Sequence, residues 1–239
     1  MEITLTNSNS LKIISGNCTL ITNPSLDEEY NIGLFNDPLA NIQNNNLNVK
    51  TPGEFEIDNF YITSVAYKIS SKNNENELSN TESNENSPLQ PSLMNFDSET
   101  SSTSSDHNEK TTVQTIDSNE EYAIYHIIQV EGIKILALGT QIIPSNHKTK
   151  LSSENPKVIF TPHNNISAVD NNTFSKLISD IDYRVLVISD LLESYEEEKL
   201  YDNSRISFGI KDKSNLNKLN ITQNNMPKEK RIVLLNQTK

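Results

Sequence analysis

Apolar and polar residues alternate in short runs along the first part of the chain, which is the pattern of half-buried β-strands. Ser15-Gly16-Asn17 favours a hairpin between two such runs. Pro52-Gly53 is a turn signal that precedes a second pair of runs, which favours another hairpin. A third pair flanks Glu131-Gly132, and its scarcity of charge favours positions inside a sheet. The strands predicted from this pattern are Glu2–Thr6, Leu11–Ile14, Cys18–Thr22, Glu54–Ile57, Phe60–Tyr67, Tyr122–Val130 and Ile133–Leu138.

The second half of the chain mixes strands with helices. The segment 171–181 carries Phe174, Leu177, Ile178 and Ile181 at the i, i+3, i+4, i+7 spacing of a helix with one buried face. The other predicted elements are a helix at Leu191–Tyr201 and strands at Lys157–Phe160, Tyr183–Ser189, Ser207–Ile210, Leu219–Ile221 and Arg231–Leu235.

Two segments lack a clear period. Asp27–Lys50 is rich in Asn, and its apolar residues allow one short helix after Asp37-Pro38. Residues 71–118 are dominated by Ser, Asn, Glu and Thr, which cannot bury enough apolar surface to offset the entropy of ordering. We therefore predict a single domain made of residues 1–70 and 119–239, with 71–118 as a disordered loop insertion.

Charge narrows the choice of partners. The chain has 239 residues and a formal net charge of −12, of which the insertion contributes −7 through nine acidic residues and two lysines. Such a chain is a poor candidate for nucleic acid or for anionic membranes, because both attract basic surfaces. No apolar run approaches the ~20 residues of a membrane span, and the start lacks the features of a secretory signal. We predict a cytoplasmic protein that binds another protein or a small ligand, and a homodimer stays open.

The residues that usually carry chemistry are sparse. The four histidines are at least sixteen positions apart, so a clustered H-x-H or H-x-x-x-H metal motif is excluded. His126 lies inside a predicted strand, where a paired or half-exposed strand residue is a better interpretation than a ligand. Cys18 is the only cysteine, so a disulfide within the chain is excluded; a small buried side chain is favoured over a nucleophile.

Four segments, in order, resemble a known family. Leu20-Ile21-Thr22-Asn23-Pro24 follows an opening hairpin and is similar to a segment ending in T-D-P, and Thr51–Ile57 is similar to G-P-G-E-Y-E-V. Val130–Gly139 is similar to D-G-x-x-I-x-x-L-G-D, and residues 218–235 are similar to a closing segment. The chain resembles the metallo-β-lactamase superfamily, in the branch of L-ascorbate-6-phosphate lactonase. The resemblance implies an α/β fold, the αββα sandwich of two mixed sheets. Its helical layer would be reduced in the N-terminal half, where the chain is short.

The resemblance also implies where metal ligands should stand. The family's H-x-H-x-D-H should fall between Pro24 and Thr51, where the sequence offers Phe35–Asn41 and only Asp37 could bind a cation. Its L-G-D becomes Leu138-Gly139-Thr140. The early G-H-S falls near Asn7-Ser8-Asn9, and the last His near Ser189-Asp190. Residues of the family motifs that we expect to keep a structural role are Asn23, Pro24, Pro52, Gly53, Glu54, Gly139 and Thr140.

These losses favour a non-catalytic protein, a degenerate member of the fold that serves as a binding or assembly module without cofactor or catalytic residues. The alternative is a hydrolase of lactones, esters or phosphoesters that uses a metal-activated water. Its weakened or relocated zinc or manganese site would draw on Asp37, His147, His163 and Asp190. A second alternative is an unrelated β-rich interaction protein. Enzymatic activity therefore stays open, with the ligand losses favouring its absence.

Overall fold

The computed structural model of the chain describes residues 1–7, 9–42, 46–69, 121–141, 143–162, 171–190 and 212–236, with the backbone alone at 171–173, 190 and 212–213. The strands are β1 Glu2–Asn7, β2 Ser10–Ser15, β3 Cys18–Thr22, β4 Ile32–Leu34, β5 Leu47–Val49, β6 Gly53–Ile57, β7 Phe60–Lys68, β8 Tyr122–Val130, β9 Ile133–Ala137, β10 Val158–Thr161, β11 Val185–Asp190, β12 Asp212–Leu216, β13 Leu219–Asn220 and β14 Arg231–Asn236. The helices are α1 Lys148–Glu154 and α2 Asn171–Ile178, with 3₁₀ turns at Ser145–His147 and Gln223–Asn225.

Two mixed sheets make up the fold. The six-stranded sheet has the order β13-β1-β2-β3-β4-β5, and the eight-stranded sheet has the order β12-β14-β11-β10-β9-β8-β7-β6. The hairpins predicted around Gly16, Asp58 and Gly132 are confirmed as antiparallel pairs. In the eight-stranded sheet β9 to β12 and β14 run parallel, whereas β6 to β8 pair antiparallel.

Alternate strand residues fill the space between the sheets. Side chains such as Ile3, Ile13 and Leu20 from one sheet and Ile62, Ile135 and others from the facing sheet form one fully buried cluster. The burial of a Leu or Ile side chain contributes about 1.5–3 kcal/mol, so this layer supplies the main drive to form the sandwich.

A second apolar cluster covers the outer face of the eight-stranded sheet. Leu151 of α1 and Phe174, Leu177 and Ile178 of α2 pack there against the strands. The predicted buried helix face is therefore confirmed. The helix ends at Ile178 rather than Ile181, whose backbone N–H donates to the Ile178 carbonyl in the turn that follows.

The six-stranded sheet has no helix in the connections that the structure describes. β3, β4 and β5 are parallel neighbours, an arrangement that usually needs a helical crossover. The short helix predicted after Asp37-Pro38 is wrong. Leu34 belongs to β4, Leu39 is 88% exposed, and Asp37 accepts the backbone N–H of Leu39 in a turn. The side-chain oxygen of Asp competes with helical hydrogen bonds in this way.

Several elements differ from the sequence pattern. β12 and α1 were not predicted, because β12 is a polar edge strand and α1 buries only Leu151. The helix predicted at Leu191–Tyr201, the strand at Ser207–Ile210 and the insertion lie outside the described residues. The described residues fall in one compact unit, Met1–Ile69 with Glu121–Lys239. None of the described helices is long and apolar enough to cross a membrane.

Candidate functional site at the strand ends

The segments that resemble metal-ligand motifs meet at one edge of the sandwich. β9, β10 and β11 are parallel, so their carboxyl ends reach this edge together, and antiparallel β8 begins there. The six-stranded sheet contributes the ends of β1, β3 and β4. In the lining of this edge stand Asn7, Asn9, Asn23 and Asn36, which we call the asparagine cluster.

Asn36 connects the two sheets. Its Nδ2 donates to the Ile124 carbonyl at 2.6 Å, and the Ile124 N–H donates back to the Asn36 carbonyl at 2.8 Å. Ile124 lies in β8 of the eight-stranded sheet, whereas Asn36 follows β4 of the six-stranded sheet. A single residue therefore extends the hydrogen bonding of one sheet to the other.

Asn23 holds Asn36 from the opposite side. Its Oδ1 accepts the Asn36 backbone N–H at 2.9 Å, and its Nδ2 donates to Asn36 Oδ1 at 2.6 Å. Asn23 has a φ of 47°, a left-handed conformation that Asn adopts more readily than most residues. An Asp at this position could accept one of these hydrogen bonds but could not donate the other, so the geometry requires an amide.

Gly139 completes the contact from the end of β9. A Cβ atom there would lie 2.9 Å from Asn36 Cβ, closer than real side chains approach, so the backbone can pass Asn36 only without a side chain. Thr140 follows and is exposed. Packing against Asn36 thus accounts for the glycine of Leu138-Gly139-Thr140, and the position where the sequence resemblance expects a carboxylate carries an exposed hydroxyl.

The two remaining members of the cluster extend it to the β1–β2 turn. The Asn9 N–H donates to Asn7 Oδ1 at 2.9 Å, and the Asn9 carbonyl accepts Asn23 Nδ2 at 3.3 Å. Ser10 Oγ donates to the Asn23 carbonyl at 2.8 Å. Asn9 Oδ1 is buried without a hydrogen-bond partner in the described part of the chain. Neutral groups therefore hold three separate loops together.

His126 fixes the same loop from β8. Its ring is fully buried, with Nε2 3.2 Å from the Phe35 carbonyl and Nδ1 2.9 Å from Ser64 Oγ. Because a carbonyl only accepts, Nε2 carries the proton and Nδ1 accepts the serine hydroxyl. Burial lowers the pKa of His126 to about 4, against the smaller opposing effect of the Phe35 hydrogen bond. Both ring nitrogens are used, so His126 is a paired strand residue, as predicted.

A solved structure shares this fold over nearly the whole chain. A Thermotoga maritima protein, whose name assigns it to the Zn-dependent hydrolases of the metallo-β-lactamase superfamily, matches with a TM-score of 0.56 at 11% identity, covering 98% of each chain. The chain has the metallo-β-lactamase fold. A Parabacteroides distasonis protein named as a metal-dependent hydrolase matches at 11% identity with a TM-score of 0.48, covering 86% of this chain and 89% of its own. No protein-family model and no curated protein matches the sequence.

The fold class predicted from the sequence is thereby confirmed. Within the described residues, the helices of this metallo-β-lactamase fold lie on the eight-stranded sheet, and the short crossovers leave the six-stranded sheet without one. The reduced helical layer implied by the short N-terminal segment agrees with this arrangement.

The metal that this fold family implies does not fit the residues that the structure describes at the strand ends. The asparagine cluster offers amide groups there, whereas zinc sites use imidazole, thiolate and carboxylate ligands. The described ranges contain no group of three His, Cys, Asp or Glu residues that could hold a metal ion.

Two of the candidates for a relocated site, Asp37 and His147, have described side chains, and their described contacts are with different partners. Asp37 is exposed in the turn after β4. His147 stands on the outer face of the eight-stranded sheet, with its Nδ1 3.3 Å from the Tyr125 hydroxyl and its ring centroid 5.9 Å from that of Tyr67. Burial, followed by the charge of Lys150, lowers the pKa of His147.

The structure describes the other two candidates, Asp190 and His163, only in part or not at all. Asp190 is the last residue of β11, and its backbone pairs with Asn236 of β14, but its side chain is outside the described part. His163 also lies outside the described residues. Asp37 and His147 are thus the described pair of the relocated-site hypothesis, and no described contact joins them.

The surroundings of Cys18 and of the turn at Pro52-Gly53 indicate structural roles. Burial, then a hydrogen bond to Asp58, raises the pKa of the Cys18 thiol to about 11. The thiolate, which is the nucleophilic form, is therefore rare at neutral pH. Gly53 begins β6 after Pro52, and its φ of 152° favours glycine, while Glu54 is exposed on the strand.

Sequence reasoning missed the bridging role of Asn36 and the hydrogen bond by which His126 reaches the loop of Phe35 and Asn36. Asn36 and His126 carry no motif of their own, and asparagine is abundant along the chain. The usable signal was the position of Asn23, Asn36 and Gly139 in or beside segments that resemble family motifs, which the fold brings into contact.

Proposed function

We propose that this chain is a non-catalytic protein with the metallo-β-lactamase fold, and that it acts as a binding or assembly module. The observation that carries the proposal is the contact between Asn23, Asn36 and Gly139. Asn36 and Gly139 lie in segments where the sequence resemblance expects metal ligands, Asn23 lies in the segment similar to T-D-P, and all three contribute only neutral groups.

The chemistry of these groups supports the proposal. A hydrolytic metal must lower the pKa of a bound water, and anionic or imidazole ligands must hold it in place. The amide oxygens of Asn23 and Asn36 already accept hydrogen bonds at 2.9 and 2.6 Å. A metal ion could bind these oxygens only if the hydrogen bonds were broken. Because a neutral amide is a weak metal ligand, the new bond would not compensate for that loss.

The asparagine cluster also links loops that belong to the two sheets. A metal bound by loops from both sheets ties those loops together, and its loss would leave their polar groups to be satisfied otherwise. Asn36 makes this connection through hydrogen bonds to Asn23 and Ile124. The edge of the sandwich is thereby kept closed, which preserves a rigid scaffold for binding.

Thermal unfolding with and without metal tests the proposal. The chain is first stripped with a chelator and then titrated with zinc or manganese, with a zinc hydrolase of this fold treated in parallel as the control. We expect an unchanged melting temperature and no hydrolysis of lactone, ester or phosphoester substrates. A saturable rise in melting temperature together with turnover would overturn the proposal and establish the hydrolase alternative.

A further inference from the structure

The β6 strand forms one end of the eight-stranded sheet. Among the described residues it pairs only with β7, in a hairpin closed by Asp58-Asn59 and the pair Ile57↔Phe60. In such a hairpin the closing pair and every second pair exchange main-chain hydrogen bonds. The N–H and carbonyl groups of Glu54 and Glu56 therefore point away from β7, along the open edge.

The side chains of this edge are charged on one face and apolar on the other. Glu54 and Glu56 are exposed, whereas Phe55 and Ile57 are half-buried and pack on the core between the sheets. A strand added here would meet main-chain donors and acceptors along the edge. On the outer face it would meet two carboxylates two residues apart.

A hollow continues this surface toward the hairpin turns. Its volume is about 440 Å³, and its lining includes Glu56, Asp58, Tyr61, Gln129 and Glu131. Glu56, Tyr61 and Gln129 are direct cross-strand neighbours on the same face of the sheet. Tyr61 is 40% exposed, so its aromatic ring and the carboxylate of Glu56 stand together beside the edge, whereas Glu131 is already paired with the N-terminal ammonium group. Such a combination suits a long cationic side chain.

Charge decides which strand fits. A second copy of this edge would place glutamates against glutamates, and like charges in opposing positions are destabilising. The chain's own candidates are acidic as well, since residues 71–118 carry −7 and residues 193–198 include four glutamates. The complementary occupant is an extended segment with Lys or Arg at alternate positions.

We propose that the β6 edge, Gly53–Ile57 with the turn Asp58-Asn59, binds a basic extended peptide of a partner protein by strand addition. The inference rests on the proposed function, because it names the partner class of a binding module. Charged residues also protect edge strands from aggregation. If protection from aggregation is the only role of Glu54 and Glu56, the edge binds no peptide, and the binding experiment below shows this.

The test uses a fluorescein-labelled peptide of alternating lysine and valine, seven residues long, and fluorescence anisotropy at about 0.15 M salt, where long-range attraction is screened. A second peptide of alternating lysine and proline has the same charge but cannot add as a strand. We expect saturable binding of the first peptide alone, with amide chemical-shift changes at Glu54 and Glu56.

Two charge-matched variants complete the test. E54Q/E56Q should weaken binding about fivefold, as expected for the loss of two cross-strand ion pairs. D27N/E29Q removes two exposed carboxylates from the β3–β4 connection and should leave binding unchanged. Absent binding, equal binding of the proline peptide, or equal weakening by D27N/E29Q would overturn the proposal. The metal titration is independent, so failure of the edge proposal is distinguishable from failure of the proposed function.

Discussion

The buried His126 should make the stability of the fold depend on pH. In the folded chain its pKa is lowered from 6.5 to about 4, whereas in the unfolded chain it titrates near 6.5. Between these values the unfolded state binds a proton that the folded state does not. Stability therefore rises with pH across this window, is complete above about 6.5, and is lost as the pH falls toward 4.

The size of the effect follows from the width of the window. A pKa difference from 6.5 to about 4, at about 1.4 kcal/mol per pH unit, gives about 3 kcal/mol of unfolding free energy. That is a large fraction of the unfolding free energy of a typical domain, which is roughly 5–15 kcal/mol. Protonation of Nδ1 would also remove the hydrogen bond that it accepts from Ser64.

Urea denaturation between pH 4 and pH 7.5 measures this loss. His126→Gln is the comparison, because glutamine keeps one donor and one acceptor but does not titrate, and the other acidic groups cancel in the difference. We expect the wild-type chain to lose about 3 kcal/mol more than the variant between pH 7 and pH 4. A difference that stays constant over this range would refute the assignment of a neutral, buried imidazole.

Three further substitutions test the asparagine cluster by urea denaturation. Asn36→Ala should cost about 3 kcal/mol, because the Ile124 carbonyl and an amide of the cluster lose buried partners, whereas Asn41→Ala in the same loop is exposed and should change stability by under about 0.5 kcal/mol. Asn23→Asp should cost about 2 kcal/mol, since a carboxylate cannot donate, and an unchanged stability would contradict the required amide. Gly139→Ala should lower the free energy of unfolding by about 1–3 kcal/mol, because the added methyl group overpacks against Asn36. Thr140→Ala, at the exposed neighbouring position, is the control and should leave the stability unchanged.

The sequence predicted the parts of the fold whose signals are local. The hairpin at Glu131-Gly132 combines two apolar runs with a turn in which both residues have positive φ, and it was placed to within a residue. α2 was predicted because its apolar spacing describes one buried face. Turn chemistry and periodicity act over a few residues, so they can be recognised without knowledge of the rest of the chain.

The candidate site depends on contacts that sequence patterns do not record. β12 is polar and exists as a strand because β14 pairs with it, so tertiary context overrides its low propensity. Asn36 has the sequence signature of a loop residue, yet it bridges partners at positions 23 and 124. Resemblance indicated which segments lack the expected ligands, but the hydrogen bonds among these segments became visible only in the folded chain.

The most direct test of the central claim is the metal content of the untagged protein, measured by inductively coupled plasma mass spectrometry after loading with zinc, manganese and iron and subsequent dialysis. A zinc hydrolase of the same fold, treated in parallel, fixes the value for an intact site. The asparagine cluster predicts far less than one equivalent of any metal per chain. One tightly held equivalent would contradict a neutral cluster in place of the metal site, and would make His163 and Asp190 the first residues to mutate.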